Sequence, residues 1–188
     1  MEKKLRTRSG NGKSGFVDME GKWIIPPIFD SARNFREGTA CVSIDGLYGY
    51  LLEDGSYLIP PMYEYAESFW TGVAAVTVNG KVGFINKEGI FVIPPIFDRA
   101  ANFFHREFAY VVLNGKSGWM NLDGSYLVEP IYDDSFHHVR WIEVMLDGKL
   151  GALYPSGEEI VPCRFDCIRE VDGSLYLLAG GVWYVKKF

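Results

Sequence analysis

Cysteine and long apolar runs are scarce in this sequence of 188 residues. Three cysteines, Cys41, Cys163 and Cys167, are too few and odd in number for the disulfide scaffold of a small secreted protein. No run of about 18 apolar residues is present to span a membrane. Residues 1–15 lack the apolar core of an export signal. We therefore expect a cytoplasmic protein that does not enter the membrane.

Positive charge is scarce as well outside the amino terminus, and the formal net charge is −5. Within residues 1–13, five basic residues stand against Glu2 and give a balance of +4, so residues 14–188 carry −9. An acidic surface repels phosphate groups, which argues against nucleic acid as a partner. We interpret the basic head as a solvated terminus or a cap.

Glycine, by contrast, is abundant, and its positions repeat. One series of five glycines that follow Asn or Asp has spacings of 34, 34, 35 and 33 residues. Two further series, starting at Gly15 and Gly21, keep the same spacings, and such a period is the signature of a tandem-repeat protein. We therefore predict a single repeat domain, 1–188, with units 12–45, 46–79, 80–114, 115–147 and 148–179 and a partial capping unit 180–188.

Each unit has the pattern of three short strands joined by tight turns. Apolar residues alternate before each Asn/Asp–Gly pair, as at Ala40, Val42 and Ile44, which is the period of a strand. Asn–Gly and Asp–Gly favour the type I′ turn of a hairpin, because both central residues need positive φ. A third strand, such as residues 23–25, runs up to a Pro-Pro pair that cannot donate to a ladder. Each unit is therefore predicted to be a three-stranded antiparallel meander.

The middle strand of each unit places apolar side chains at consecutive positions, as at Phe16 and Val17 or Tyr50 and Leu51. Consecutive side chains point to opposite faces, so both faces of the sheet should be buried by stacking face to face on neighbours. We predict an all-β fold, an open β-solenoid-like array with capping ends, because the strand candidates leave a fractional unit. A closed β-propeller of about five or six small blades is the alternative.

One pattern runs through residues 12–42 and again through residues 80–98: Gly-Lys-x-Gly-Phe-Val/Ile-Asp/Asn, a glycine turn, then Ile-Pro-Pro-Ile-Phe-Asp. It resembles the bacterial WG repeat, and the resemblance covers nearly the whole chain. The signature Trp before the second glycine is replaced here by Ser14, Tyr48, Val82, Ser117 and Leu150. The resemblance implies a repeat scaffold for interaction and brings no catalytic residue set.

Motifs for catalysis or cofactor binding are weak. Residues 10–15 fit G-x-G-x-x-G, but a dinucleotide site needs this pattern between a strand and a helix, and here it straddles a hairpin turn. Cys163 and Cys167 could join the three histidines as zinc ligands, yet two small buried thiols are the favoured interpretation. No nucleophile with a placed base is evident. We therefore predict no enzyme activity, no metal and no cofactor.

A carboxylate follows the aromatic residue of every unit, at Asp30, Glu64, Asp98, Asp133 and Asp166. Aligned along one edge of stacked units, these groups could bind cations or a basic partner. Because the acid recurs with the fold, we favour a structural role in which each carboxylate accepts backbone N–H groups in a turn.

The residues that depart from the repeat pattern lie in the connectors of the second, third and fourth units. These connectors occupy equivalent positions and should be neighbours in space; Phe69 and Phe103 take the place of Phe35 and are assigned to the core. Aromatic and Arg side chains together are typical of an interaction hot spot, and His would make it pH-sensitive. The candidate interaction surface consists of Trp70, Phe104, His105, Arg106, His137, His138, Arg140 and Trp141. Ordinary packing of connector aromatics onto the sheet edges is the competing interpretation.

These observations lead us to expect a non-catalytic repeat scaffold that binds a protein or peptide. The alternative is a carbohydrate- or cell-wall-binding array that stacks sugars on one ring per unit, at Trp23, Tyr57, Phe91 and Tyr126. The missing export signal argues against a wall ligand. The sequence leaves the partner and the oligomeric state open.

Overall fold

The computed structural model describes residues 5–101 and 108–187. The 34-residue elements are called repeats from here on. The chain as a whole forms two compact units, a first unit of residues 1–109 and a second unit of residues 110–188. Within the described residues the secondary structure consists of strands and turns without a helix, so the prediction of an all-β fold is confirmed. The described part of the chain accordingly holds no helix with the length and apolar character needed to cross a membrane.

The first unit contains a three-stranded sheet, β1–β3, and two four-stranded sheets, β4–β7 and β8–β11, each with its strands in chain order. All pairs in them are antiparallel. The strands are β1 (Arg6–Gly10), β2 (Lys13–Val17), β3 (Trp23–Phe29), β4 (Ser31–Ala32), β5 (Thr39–Ile44), β6 (Leu47–Leu52), β7 (Tyr57–Tyr63), β8 (Tyr65–Ala66), β9 (Ala74–Val78), β10 (Lys81–Ile85), β11 (Phe91–Phe97) and β12 (Arg99–Ala100).

The second unit contains β13, β14 and β15 side by side, the four-stranded sheet β16–β19 and the three-stranded sheet β20–β22. The strands are β13 (Phe108–Leu113), β14 (Lys116–Asn121), β15 (Tyr126–Tyr132), β16 (Asp134–His137), β17 (Ile142–Leu146), β18 (Lys149–Leu153), β19 (Glu159–Phe165), β20 (Cys167–Val171), β21 (Ser174–Ala179) and β22 (Val182–Lys187). We call β3, β7, β11, β15 and β19 the proline strands, since each carries the Pro-Pro pair or its remnant.

The four-stranded sheets extend the predicted meander by one short strand from the connector. In β4, for example, Ser31 pairs with Ser43 and Ala32 with Val42 of β5. Among the residues that the structure describes, the sheet β1–β3 has no such first strand, and the sheet β20–β22 has a first strand but no proline strand. The two three-stranded sheets are therefore incomplete at opposite edges.

The predicted hairpin turns are confirmed. Asn11 and Gly12 have φ values of 53° and 76°, and Asp147 and Gly148 have 52° and 70°. Positive φ at both central positions is the geometry of the type I′ turn, which Asn or Asp followed by Gly adopts at low cost. The turn chemistry thus sets the register of the two strands on either side of each Asn/Asp–Gly turn.

The prolines lie inside the outer strand instead of ending it, which differs from the prediction. The pairing moves from Phe16 opposite Ile25 to Ser14 opposite Phe29, so the proline strand carries two more residues than its partner in this stretch. Proline is tolerated because this strand is at the sheet edge, where its missing N–H breaks no ladder. A Cβ on Gly15 would lie 2.6 Å from the carbonyl oxygen of Ile25, so the bulged strand requires glycine opposite it.

The sheets of the first unit stack as the consecutive apolar pairs predict. Phe16 and Ile25 of the first sheet share one buried cluster with Ala40 and Val42 of the second. Both faces of a sheet are covered in this way, because each side chain of a consecutive pair packs on a different side. The choice between an open array and a closed propeller stays a prediction.

Candidate interaction site

The recurring carboxylate ties a lysine of its own repeat to the turn of the next. Asp133 accepts a hydrogen bond from Lys116 Nζ at 2.6 Å and another from the backbone N–H of Asp147 at 2.7 Å. Asp166 accepts one from the N–H of Gly180 at 3.0 Å in the same manner. The structural role favoured from the sequence is therefore confirmed for these repeats.

These hydrogen bonds stabilise the charged form of the carboxylates. The bond from Lys116, followed by that from the turn N–H of Asp147, holds the pKa of Asp133 below its ordinary value. A lysine partner likewise lowers the pKa values of Asp30 and Asp166. Because each of these carboxylates already binds a lysine and a turn, they serve the fold and do not form an open edge for a cation.

The second repeat reaches the same result without a lysine. Leu47 stands where the other repeats have Lys, and the acid is Glu64. Its Oε1 accepts from the N–H of Asn79 at 2.7 Å and its Oε2 from the N–H of Gly80 at 3.0 Å. The longer side chain therefore satisfies both turn N–H groups by itself.

Connector aromatics in the first unit pack onto the preceding sheet, on the strand that follows its Asn/Asp–Gly turn. The ring centroids of Phe35 and Phe16 are 4.7 Å apart, and those of Phe69 and Tyr50 are 4.5 Å apart. Phe69 is fully buried. Its assignment to the core is confirmed.

Trp70, the first residue of the candidate surface, is half-buried. The guanidinium carbon of Arg36, from the preceding connector, lies 3.7 Å from the Trp70 ring centroid. The N–H of Gly72 donates to Glu37 of that connector at 3.1 Å. Arg36 and Trp70 hold equivalent connector positions, so such positions are neighbours in space here, and one face of the Trp70 ring is already covered.

A polar cluster links the same two connectors. Arg33 pairs with Glu67 and donates to the hydroxyl of Tyr65 at 2.7 Å, and that hydroxyl donates to Glu67 at 2.6 Å. Cys41 lies beneath this cluster, where burial raises the pKa of its thiol to about 12. The cluster satisfies its own charges, so it joins two sheets instead of offering an open site.

In the second unit the connector between β16 and β17 is one residue shorter than the connector between β4 and β5 in the first unit. Ten positions separate the recurring acid Asp30 from Ala40, but nine separate Asp133 from Ile142, which has the place of Ala40 in the strand pairing. The spacing of 33 residues between Gly115 and Gly148 carries the signal of this change. The shortening decides which side chain reaches the core.

His137, and not Phe136, takes the place that Phe69 has in the first unit. Its ring centroid lies 5.5 Å from that of Trp119, as Phe69 lies against Tyr50. Phe136 is 63% exposed. Sequence reasoning missed Phe136 because the connector was aligned on its first aromatic residue.

The next two candidate residues, His138 and Trp141, form a stacked pair. Their ring centroids are 4.1 Å apart and their planes 15° apart. Trp141 Nε1 donates to Glu170 Oε2 at 3.1 Å, and Arg140 Nη1 lies 4.0 Å from Glu170 Oε1. Trp141 is only 2% exposed and packs in the core with Leu175, which corrects its assignment to the surface. Its ring is the buried base on which His138 rests.

Around this pair the connector presents apolar and acidic groups to solvent. Phe136 meets the edge of His138 at 4.9 Å between ring centroids, and Val139 is 89% exposed. A shallow pocket beside Phe136 is lined among others by Asp134, Glu143 and Met145. We call Phe136, Val139, Asp134, Glu143 and His138 the connector site. It combines an exposed ring, an exposed aliphatic side chain and two carboxylates.

The structure thus brings together four of the candidate residues, His137, His138, Arg140 and Trp141, within one connector. Phe104, His105 and Arg106 lie outside the described residues. Trp70 lies in the first unit.

The aromatic row of the carbohydrate alternative is unevenly exposed. Tyr57 and Phe91 are 41% and 38% exposed, whereas Trp23 and Tyr126 are half-buried. The Arg8 guanidinium carbon lies 5.6 Å from the Trp23 ring centroid. The rings are therefore not equivalent platforms.

The fold and the turn-binding carboxylates define a β-repeat protein of stacked antiparallel sheets. The profile of the family described as WG containing repeat matches residues 15–48, 48–81 and 83–116. The chain therefore belongs to the WG repeat family, as its sequence pattern indicates. No curated protein sequence matches it.

Solved structures resemble the chain in fold at low identity. A structure titled as the eukaryotic initiation factor is 11% identical with a TM-score of 0.54, covering 100% of this chain and 62% of that one. The WD40 β-propeller domain of Doa1 is 11% identical with a TM-score of 0.42, covering 98% and 79%. PorZ of Porphyromonas gingivalis is 10% identical with a TM-score of 0.40, covering 93% and 28%. The chain spans 62% of the length of the first of these proteins, and the likeness concerns the fold alone.

Proposed function

We propose that the chain is a non-catalytic repeat scaffold that binds a protein or peptide through the connector site. The observation that carries the proposal is the exposure of Phe136 and Val139, at 63% and 89%. The Trp141 side chain of the same connector is buried in the core. Large apolar side chains that a folded domain leaves exposed are candidates for an interaction surface. Aromatic anchors of this kind supply much of the binding free energy of an interface.

The base of the connector site supports the proposal because it is fixed before a partner arrives. His138 rests on the buried ring of Trp141, and Glu170 holds that ring through Nε1. A surface that is already ordered loses little conformational entropy on binding. The exposed side chains of Phe136 and Val139 are thus presented on a rigid support.

The acidic groups of the site favour a partner segment that carries a basic residue beside an apolar one. Asp134 and Glu143 line the pocket next to Phe136, and Glu143 Oε2 is 3.8 Å from His138 Nε2. A lysine or arginine side chain would meet the carboxylates while its apolar neighbour covers Phe136. The net charge of −5 adds a longer-range attraction for such a segment.

A displayed-peptide library selected on the full chain tests this proposal. We expect enriched peptides to pair a basic residue with an apolar one and to lose affinity by about tenfold or more when Phe136→Ser and Val139→Ser are combined. Met62→Ser is the matched control, since Met62 is 61% exposed on β7. Melting temperatures of both variants establish that they are folded.

Retention of peptide binding by the Phe136→Ser, Val139→Ser variant would contradict the proposal, as would equal loss in the Met62→Ser control. A glycan array addresses the carbohydrate alternative with the same protein. Sugar binding that is lost on Tyr57→Ser or Phe91→Ser and kept in the connector variant would favour that alternative instead.

A further inference from the structure

The strand β22 leaves one edge of its sheet without a described neighbour. The order of this sheet is β20, β21, β22, so β22 pairs with β21 on one side only. Each residue of β22 is exposed, including Val182, Trp183, Tyr184 and Val185 at 52%, 48%, 51% and 56%. A long, apolar edge strand of this kind offers its free N–H and C=O groups for pairing with another strand.

Strand pairing shows which repeat positions the residues of β22 occupy. In the preceding sheet, Val144 of β17 pairs with Gly151 of β18, and in this sheet Leu177 of β21 pairs with Tyr184. Tyr184 therefore has the place of the strand glycine, found as Gly118 in β14.

The replacement of this glycine closes the edge to a proline strand. A Cβ on Gly118 would lie 2.5 Å from the carbonyl oxygen of Val128, because the bulge of the proline strand comes close to the glycine. Tyr184 carries a whole phenol ring at this position. A fourth strand of the repeat type is therefore excluded from this edge.

We propose that β22 pairs instead with β22 of a second copy of this chain, antiparallel about a two-fold axis perpendicular to the sheet. Such an axis keeps side chains of both copies on matching faces, so a residue must pair with one of the same parity. Two registers of this kind pair five residues of each strand, one centred on Tyr184 and one on Val185. The proposed register is the first, which places Tyr184 opposite Tyr184 of the second copy. Trp183 then lies opposite Val185, and aromatic and β-branched side chains are favourable cross-strand neighbours.

Charge distribution along β22 agrees with this partner. In the same register Lys186 faces Val182 and Lys187 faces Gly181 of the second copy, so no lysine opposes a lysine. The carboxylate of Asp166 binds the N–H of Gly180 at 3.0 Å and lies at the end of the strand where Lys187 of the second copy arrives. Opposite charges meet at both ends of the paired strands, and like charges stay apart.

Light scattering coupled to size-exclusion chromatography over a concentration series tests the pairing. We expect a monomer–dimer equilibrium, and we expect Tyr184→Lys to raise the dimer dissociation constant by about tenfold or more because two lysines then face each other at the two-fold axis. Tyr184→Glu should have the same effect. A mixture of the two variants should recover the dimer, since opposite charges then meet.

The control is Met62→Lys, which adds a lysine to an exposed position of another edge strand and should leave the dimer unchanged. Recovery of the dimer in the mixture also shows that both Tyr184 variants are folded. A wild-type monomer at every concentration, open-ended larger assemblies, or a dimer insensitive to Tyr184→Lys would overturn the proposal. Binding of a synthetic peptide with the sequence of residues 57–64 to the β22 edge would overturn the exclusion of a proline strand.

Discussion

The connector between β8 and β9 in the first unit and the connector between β16 and β17 in the second pack different side chains against equivalent strands. In the first, Phe69 is fully buried against Tyr50. In the second, His137 takes that place against Trp119 and Phe136 is turned to solvent. The number of residues between fixed strand positions, and not the residue type, therefore decides which connector side chain packs on the preceding sheet.

The tight turns of the two connectors also differ, both in backbone conformation and in the side chain at the tip. Thr71 and Gly72 have φ values of 51° and 80°, as a type I′ turn requires. Val139 and Arg140 contain no glycine and neither has positive φ. The second turn therefore presents an aliphatic side chain at its tip, where the first has glycine.

The largest expected effect comes from removing the buried side chain that supports the connector site. Trp141→Ala should lower the free energy of unfolding by about 3–5 kcal/mol, the usual cost of removing a large buried aromatic side chain. The ring is 2% exposed, and its removal also leaves the Glu170 carboxylate without its indole donor. Urea unfolding followed by far-ultraviolet circular dichroism measures this change. A loss under about 1 kcal/mol would show that Trp141 is not a core residue.

The next effect tests whether the first connector tolerates the side chain of the second. Phe69→His should cost about 2 kcal/mol or more, because an imidazole in an apolar cluster loses its hydrogen bonds to water. Phe69→Leu should cost less, since it keeps an apolar side chain there. Thermal unfolding of the two variants provides the measurement. Equal costs would mean that polarity does not matter at this position.

A smaller effect concerns the carboxylates that both units share. Asp133 has a lowered pKa, so its contribution to stability is present above its unfolded value of 3.8 and is lost as the pH falls through the folded value. Asp133→Asn should therefore be less stable than the wild type at neutral pH, and the difference should shrink below about pH 4. Urea midpoints across this pH range measure it. Glu158→Gln, on an exposed turn, is the control, and a constant difference at all pH values would contradict the account.

The smallest effect separates function from folding within the connector site. Phe136→Ala should change the free energy of unfolding by no more than about 0.5 kcal/mol, because surface substitutions rarely exceed that value. The ring is 63% exposed, and its centroid lies 4.9 Å from that of His138. Differential scanning calorimetry tests the prediction. A cost comparable to that of Trp141→Ala would place Phe136 in the core.

Local chemistry made most of the fold predictable from the sequence. Asn–Gly and Asp–Gly pairs set the hairpins, and consecutive apolar residues such as Phe84 and Ile85, both fully buried, indicated stacking. The bulge in the proline strands was harder to predict from the sequence. The approach of its backbone to Gly15 depends on a pairing that no single segment encodes.

The candidate site was predictable only in part. Its location in a connector followed from departures from the repeat, but Trp141 was placed on the surface and Phe136 was left out. The shortening explains why His137 packs on the preceding sheet, and the spacing of 33 residues between Gly115 and Gly148 contained that information. The exposure of Phe136 follows from its pairing with Glu143, and the burial of Trp141 from its packing with Leu175. Neither contact could be recognised from the residue types alone.

Carbene footprinting of the wild-type protein tests which connector side chains are exposed and which are buried. Reaction of a photolysed diazirine with exposed side chains, read by mass spectrometry, should label Phe136 and Val139 strongly and leave Phe69 and Trp141 protected. That result would establish the shifted connector and its exposed surface. Protection of Phe136 together with labelling of His137 and Trp141 would contradict it.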